Sequence, residues 1–211
     1  MLGRVSAVKR SIGLVVGVLA LAAGVAALGG WLWWKWWSPA PPGQIYQRQD
    51  KSFGWYATPL DPGQAHVASA TFEYVVVGFG LALLVGVATA ALGRNRPLTA
   101  LAAVLVAGGL GAYLTWQVGT WISPPNPARY ADAAHFKKLV DGKPAVYPGS
   151  IGVSGWTPYL AWPVGSLLGY LGIMLSISGE RTLDPPYVSE PVAVGGYPPY
   201  PVDTAGEQPI R

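Results

Sequence analysis

Few residues of this chain have types suited to bond-making chemistry, and their spacing limits what each can do. His66 and His135 are the two histidines, and Asp132 stands one helical turn before His135. A structural or catalytic metal centre needs three or four converging ligands, themselves oriented by further hydrogen bonds. Two histidines with scattered carboxylates do not supply such a set, so no metal is expected. Ser150 and Ser154 lie among glycines in PGSIGVSG (148–155). That is loop composition, and neither a nucleophile elbow, a P-loop nor a dinucleotide fingerprint is present. With no cysteine there is no thiolate nucleophile, disulfide framework or Cys-ligated metal. Glu73 and Gln117 stand out for a different reason. Both fall near the ends of long apolar stretches, where a polar side chain marks a candidate site. No enzyme activity and no cofactor are expected.

Chemistry-bearing residues are rare because the chain is built for another solvent. Of 211 residues 51% are hydrophobic, 28 are glycine and only 11% are charged, whereas a soluble domain has about a quarter charged. So few charges cannot cover a water-facing surface, but they suffice for a lipid-facing one. The net charge of +4 comes from scattered basic residues, which argues against a nucleic-acid footprint. Four stretches, at 12–34, 72–92, 98–121 and 159–177, are long and apolar enough to cross about 30 Å of hydrocarbon, which takes ~20 helical residues. Each must be helical, because lipid offers the backbone no hydrogen-bond partner. The sequence therefore predicts an all-α membrane protein, a four-transmembrane-helix bundle. Its outer loops fall at 38–70 and 123–157, and its Pro/Tyr-rich tail, 179–211, is expected to be disordered.

The first ten residues carry Arg4, Lys9 and Arg10, like the start of a signal peptide. The apolar run behind them is about twice the usual signal length and ends in tryptophans instead of a small-residue cleavage site. It is expected to stay as an anchor. GRNRP (93–97) puts two arginines into the short turn between the second and third spans, and short loops dominate the positive-inside rule. Residues 1–11 and 179–211 are thus expected in the cytoplasm and the protein in the plasma (inner) membrane.

Tryptophans mark the opposite surface. Trp31, Trp33, Trp34, Trp36 and Trp37 crowd around Lys35 in WLWWKWW, Trp116 and Trp121 close the third span, and Trp162 lies near the start of the fourth. Indole settles where hydrocarbon meets water, and Lys35 can snorkel to the headgroups beside it. Five indoles exceed what anchoring one helix requires. Part of the cluster is expected to pack beneath the outer loops or against a neighbouring protein.

Helices in lipid associate through close backbone approach, and each span carries small residues at suitable spacing. The second has Gly78, Ala82, Gly86 and Ala90; the third has Ala103, Ala107, Gly111, Thr115 and Gly119; the fourth has Ala161, Gly165 and Gly169. The first has Gly13, Gly17, Ala20 and Gly24. These stripes are expected to meet inside one bundle; the alternative is a groove for a second copy or a partner. Pro163 falls in the first turn of its span, where it costs little. Gln117, one turn from the outer end, suits an interhelical hydrogen bond or headgroup water.

In the first outer loop, residues 44–56 are mixed enough for a hairpin or short strands. In the second, Asn126 and Pro127 read as an N-cap and first helical residue. Ala133, Phe136 and Val140 then share one helical face and Gly142 suits a stop, which predicts a short amphipathic helix over 128–140. In the tail, PPY (185–187) and YPPYP (197–201) favour extended polyproline II structure.

GAYLTWQVGTWISPP at the end of the third span, LAWPVGSLLGYL in the fourth and the polar exit SGERTLDPP carry a resemblance. Together with the order of spans and loops, they resemble a family of small four-span membrane proteins from high-GC actinobacteria, over about 12–183. No activity is established for that family, so the resemblance implies fold and location and assigns no catalytic residue. The functional expectation is a non-catalytic accessory or scaffold component of an envelope or respiratory membrane assembly. Its partners would be the lipid bilayer and a membrane protein, or a second copy of the chain, and not nucleic acid. The alternative is a small transporter or channel component acting as an oligomer.

Overall fold

The computed structural model describes residues 2–136 and 138–182. The four apolar runs become α1 (Leu2–Trp37), α2 (Leu60–Leu92), α3 (Pro97–Ile122) and α4 (Ala161–Thr182). Each contains a stretch long and apolar enough to cross a membrane. At 33 residues, α2 is about 50 Å long and outreaches the ~30 Å hydrocarbon layer.

Its start corrects the sequence reading. Residues 60–70, expected in the outer loop, are the first three turns of α2, so the connection between α1 and α2 spans 38–59. Pro62 lies in the first turn, where its missing N–H is not needed, and Gly63 and Ala70 are buried against neighbours. Loop-like composition here conceals a packed helix end. At the other side of the bundle Gly93–Arg96 forms the expected tight turn, Arg96 N donating to Gly93 O at 2.7 Å, and Pro97 opens α3 at its first position. A 3-10 turn, Thr157–Leu160, leads into α4, whose first turn contains Pro163. That helix continues past 177 to Thr182, and the rest of the expected tail lies outside the described residues.

The connections between α1 and α2 and between α3 and α4 fold together. β1 (Pro42–Gln47) and β2 (Phe53–Ala57) form the expected antiparallel hairpin, with Ile45 opposite Trp55 and Gln44 opposite Tyr56. The helix expected over 128–140 is absent. Asn126 does cap, its Oδ1 accepting from Ala128 N at 2.9 Å, but only a single 3-10 turn, Pro127–Tyr130, follows. Farther on, β3 (Leu139–Val140) turns back into β4 (Lys143–Pro144). Asp141 and Gly142 occupy the turn with φ of 52° and 77°, the left-handed pair that a two-residue hairpin demands and Asp-Gly supplies. Gly142 serves this turn and not a helix stop. β5 (Tyr147–Pro148) then pairs with β1, giving a sheet in the order β2-β1-β5. The fold is a four-helix bundle with a small β cap instead of a purely helical one.

Within the bundle α2 lies along α4 and α1 along α3, while α3 also meets α4. The small-residue stripes of α2, α3 and α4 line these seams. A Cβ added at Gly165 would lie 2.7 Å from Phe79 O, one at Gly108 2.6 Å from Pro163 Cα, and those at Gly86 and Gly169 would overlap the Ser166 and Leu83 carbonyl oxygens. Gly30 approaches Thr115 O in the same way across the α1–α3 seam. The first-span stripe behaves differently: Gly13, Gly17 and Gly24 have open space beside them.

The cap has its own close approach. The Trp55 indole lies flat against Gly43, where any Cβ would overlap it, and its Nε1 donates to Tyr147 O at 2.9 Å. Gly43→Val should therefore displace Trp55 and separate β5 from β1. Limited proteolysis of the protein in detergent should then cut at 38–59 or 138–150 much faster than in wild type, while far-UV circular dichroism keeps its helical signal. Unchanged cleavage would mean that the sheet does not depend on this contact.

Candidate functional site

A set of specific side-chain contacts joins the end of α1 to the first turns of α2. An α-helix returns to the same face every third or fourth residue, so Trp33 and Trp37 point together toward α2 while Trp31 and Trp36 point away. Trp33 and Trp37 are 0% exposed, against 45% for Trp31 and 54% for Trp36. Trp33 Nε1 donates to Ala70 O at 2.7 Å and Trp37 Nε1 to His66 O at 3.1 Å. His66 answers through Nε2, which donates to Trp37 O at 2.8 Å, fixing its tautomer, and its ring stacks on the Trp37 indole at 5.3 Å. The orphan carbonyl of Trp37 at the end of α1 is thus satisfied by His66, while the His66 and Ala70 carbonyls inside α2 accept the indoles as additional partners.

Below this lock, Trp33 meets Tyr74 edge to face at 5.1 Å, and Tyr74 meets Tyr159 at 5.6 Å. The Tyr74 hydroxyl donates to Ala112 O at 2.8 Å, tying α2 to α3. Trp162, also fully buried, fills a slot whose walls are Gly78 and Gly111. So three of the tryptophans assigned to the membrane interface, Trp33, Trp37 and Trp162, are enclosed by protein. Trp34 and Trp116 are half-buried, and Trp31, Lys35, Trp36 and Trp121 are exposed. Two of the cluster's five indoles, Trp33 and Trp37, pack against α2.

Glu73 lies one turn beyond Ser69 on the same helix and is 7% exposed. Ser69 Oγ reaches both Glu73 Oε1, at 2.8 Å, and His66 O, at 2.9 Å, so one hydroxyl proton serves two acceptors. Glu73 Oε2 is buried without a hydrogen-bond partner. Gln117, its companion in the sequence reading, is exposed on α3 and does not join it. The two histidines are separate as well: His66 belongs to the lock, and His135 Nδ1 contacts Asp132 Oδ1 at 2.7 Å in the connection between α3 and α4. That bond, with a second from His135 N, holds the Asp132 carboxyl below its ordinary value. Among the described residues no three His, Cys, Asp or Glu side chains cluster as metal ligands.

The cap sits on the lock. Gly149 N donates to Pro41 O at 2.8 Å, Ile151 N to Ser123 Oγ at 2.9 Å and Ser154 N to Thr71 Oγ1 at 3.0 Å, so the connection between α3 and α4 is tied to the α1–α2 connection, to the C-cap of α3 and to α2. On the hairpin the cap carries an open groove of about 730 Å³ between the β1–β2 turn and the start of α2. Sequence reasoning did not single out the residues that line it. A signal was present: Tyr46 and Arg48 alternate at and just beyond the end of β1 and share a face. No family model matches the chain, and no curated protein or solved structure matches it either.

Proposed function

We propose that this chain is a non-catalytic, multi-pass protein of the plasma (inner) membrane that serves as an accessory or scaffold subunit of an envelope or respiratory membrane assembly. Both termini lie in the cytoplasm and the β cap faces outward. The observation that carries this reading is the lock of Trp33 and Trp37 onto Ala70 and His66. Hydrogen bonds made by fully buried indoles fasten the end of α1 to the first turns of α2, the two helix ends between which the first connection runs. A surface held in this way is suited to positioning a partner. The closed, glycine-lined seams agree, since they commit the bundle interior to packing.

The cysteine-free sequence makes the topology simple to test. A membrane-impermeant maleimide should label Lys51→Cys in intact cells and Asn95→Cys only after permeabilisation; the reverse pattern would invert the orientation. After mild extraction, blue-native electrophoresis with cross-linking mass spectrometry should show a complex larger than the protomer with one reproducible membrane partner. Migration as a lone protomer would defeat the scaffold reading.

A further inference from the structure

We propose that the exposed face of the β1–β2 hairpin is a binding site for a neutral saccharide. The strand alternation that turns Gly43 and Ile45 inward turns Gln44, Tyr46 and Arg48 outward, and the register brings Tyr56 opposite Gln44 and Gly54 opposite Tyr46. The space that a side chain at Gly54 would take is filled by the Arg48 guanidinium and the Tyr56 ring, and the Tyr46 ring is 43% exposed. The two tyrosine rings stand 6.0 Å apart at 75°, one presenting a face where the other presents an edge.

These side chains are held in place before any ligand arrives. Arg48 Nε donates to the Tyr56 hydroxyl at 2.8 Å while its guanidinium lies 5.6 Å over the same ring, and the Tyr46 hydroxyl donates to Gln44 Oε1 at 3.2 Å. Asp50 is fixed at the turn by Ser52, whose N–H and hydroxyl both donate to Oδ1, so Oδ2 takes no part in that turn. Tyr46, Arg48, Asp50, Tyr56 and Leu60 all line the groove. Its volume of about 730 Å³ falls within the ~300–1,000 Å³ of small-molecule sites.

The chemistry of this lining selects the ligand class. A sugar ring has an apolar face of C–H bonds and a rim of hydroxyls. Aromatic faces accept the first, while guanidinium, amide and carboxylate groups pair with the second. The charges of Arg48 and Asp50 cancel, which favours a neutral polyol over a phosphate group. The inference rests on the scaffold reading only for the side of the membrane that the groove faces.

The test uses the full chain in nanodiscs. Saturation-transfer NMR and titration calorimetry would be run with chitotriose, mannotriose, maltotriose and arabinotriose, and with inositol 1-phosphate as the anionic arm. At least one trisaccharide should receive saturation from the protein. Tyr46→Ala and Tyr56→Ala should each weaken it by about tenfold, ~1.4 kcal/mol, at unchanged melting temperature, and Tyr46→Phe should retain most of the affinity. If either alanine variant fails to fold, Arg48→Gln at its exposed position takes its place with the same expected loss. The proposal is overturned if no trisaccharide binds, if binding survives these substitutions, or if only the phosphate binds. Because this assay uses the isolated chain, its failure leaves partner capture untouched, and a lone protomer on native gels leaves saccharide binding untouched.

Discussion

Gly86→Leu should abolish the folded bundle. The glycine faces α4 at its closest approach, where a Cβ would overlap Ser166 O and lie 2.8 Å from Tyr170 N. Backbone atoms cannot rotate aside as a side chain would, so the two helices must separate along the whole Gly86–Gly165–Gly169 seam. Overpacking ordinarily costs about 1–3 kcal/mol. Here it also forfeits the neighbouring glycine contacts, on which association in lipid depends. Fluorescence-detected size exclusion after mild extraction should show aggregate in place of a monodisperse peak. Gly80→Leu is the control on the same helix. Nothing lies within 4 Å of a Cβ there, and that variant should elute as wild type does. Equal behaviour of the two would refute the packing of α2 on α4.

The second large effect separates tryptophans that composition cannot distinguish. Trp33→Ala should lower stability by about 3 kcal/mol, near the low end of aromatic-to-alanine losses in cores, because lipid spares part of the transfer cost while the cavity remains. At about 2–4 °C per kcal/mol for a chain of this size, the heating midpoint in detergent should fall by roughly 10 °C. Trp36→Leu changes a residue 54% exposed and should leave the midpoint almost where it was. Trp33→Phe should fall between, since it keeps most of the ring and loses the bond to Ala70 O. If Trp36→Leu proved as damaging as Trp33→Ala, the inward–outward division of the cluster would be wrong.

The helices were legible because hydrocarbon imposes one length and one composition on whatever crosses it. The seams followed from the four-residue spacing of Gly78, Ala82 and Gly86, which is a backbone-scale pattern. Less visible was anything decided by a neighbour distant in sequence. DPGQAHVASA reads as loop until Trp33 and Trp37 are placed beside it. Residues 128–140 present a helical period, yet Asp141 and Gly142 form a turn whose left-handed backbone outweighs it. The buried position of Trp162 depends on Gly78 and Gly111, two residues on different helices. Nor could spacing show that Arg48 and Tyr56 brace each other across a hairpin.

The pairing of Trp33 with Ala70 has a bearing on how the protein is made. Donor and acceptor are 37 residues apart, which at ~5–20 residues per second is a delay of a few seconds during synthesis. For that interval α1 is already in the membrane, and its inward indoles have no helix to face. An isolated indole is accommodated where hydrocarbon meets water. Trp33 and Trp37 therefore take up their buried places only after the first turns of α2 have been made.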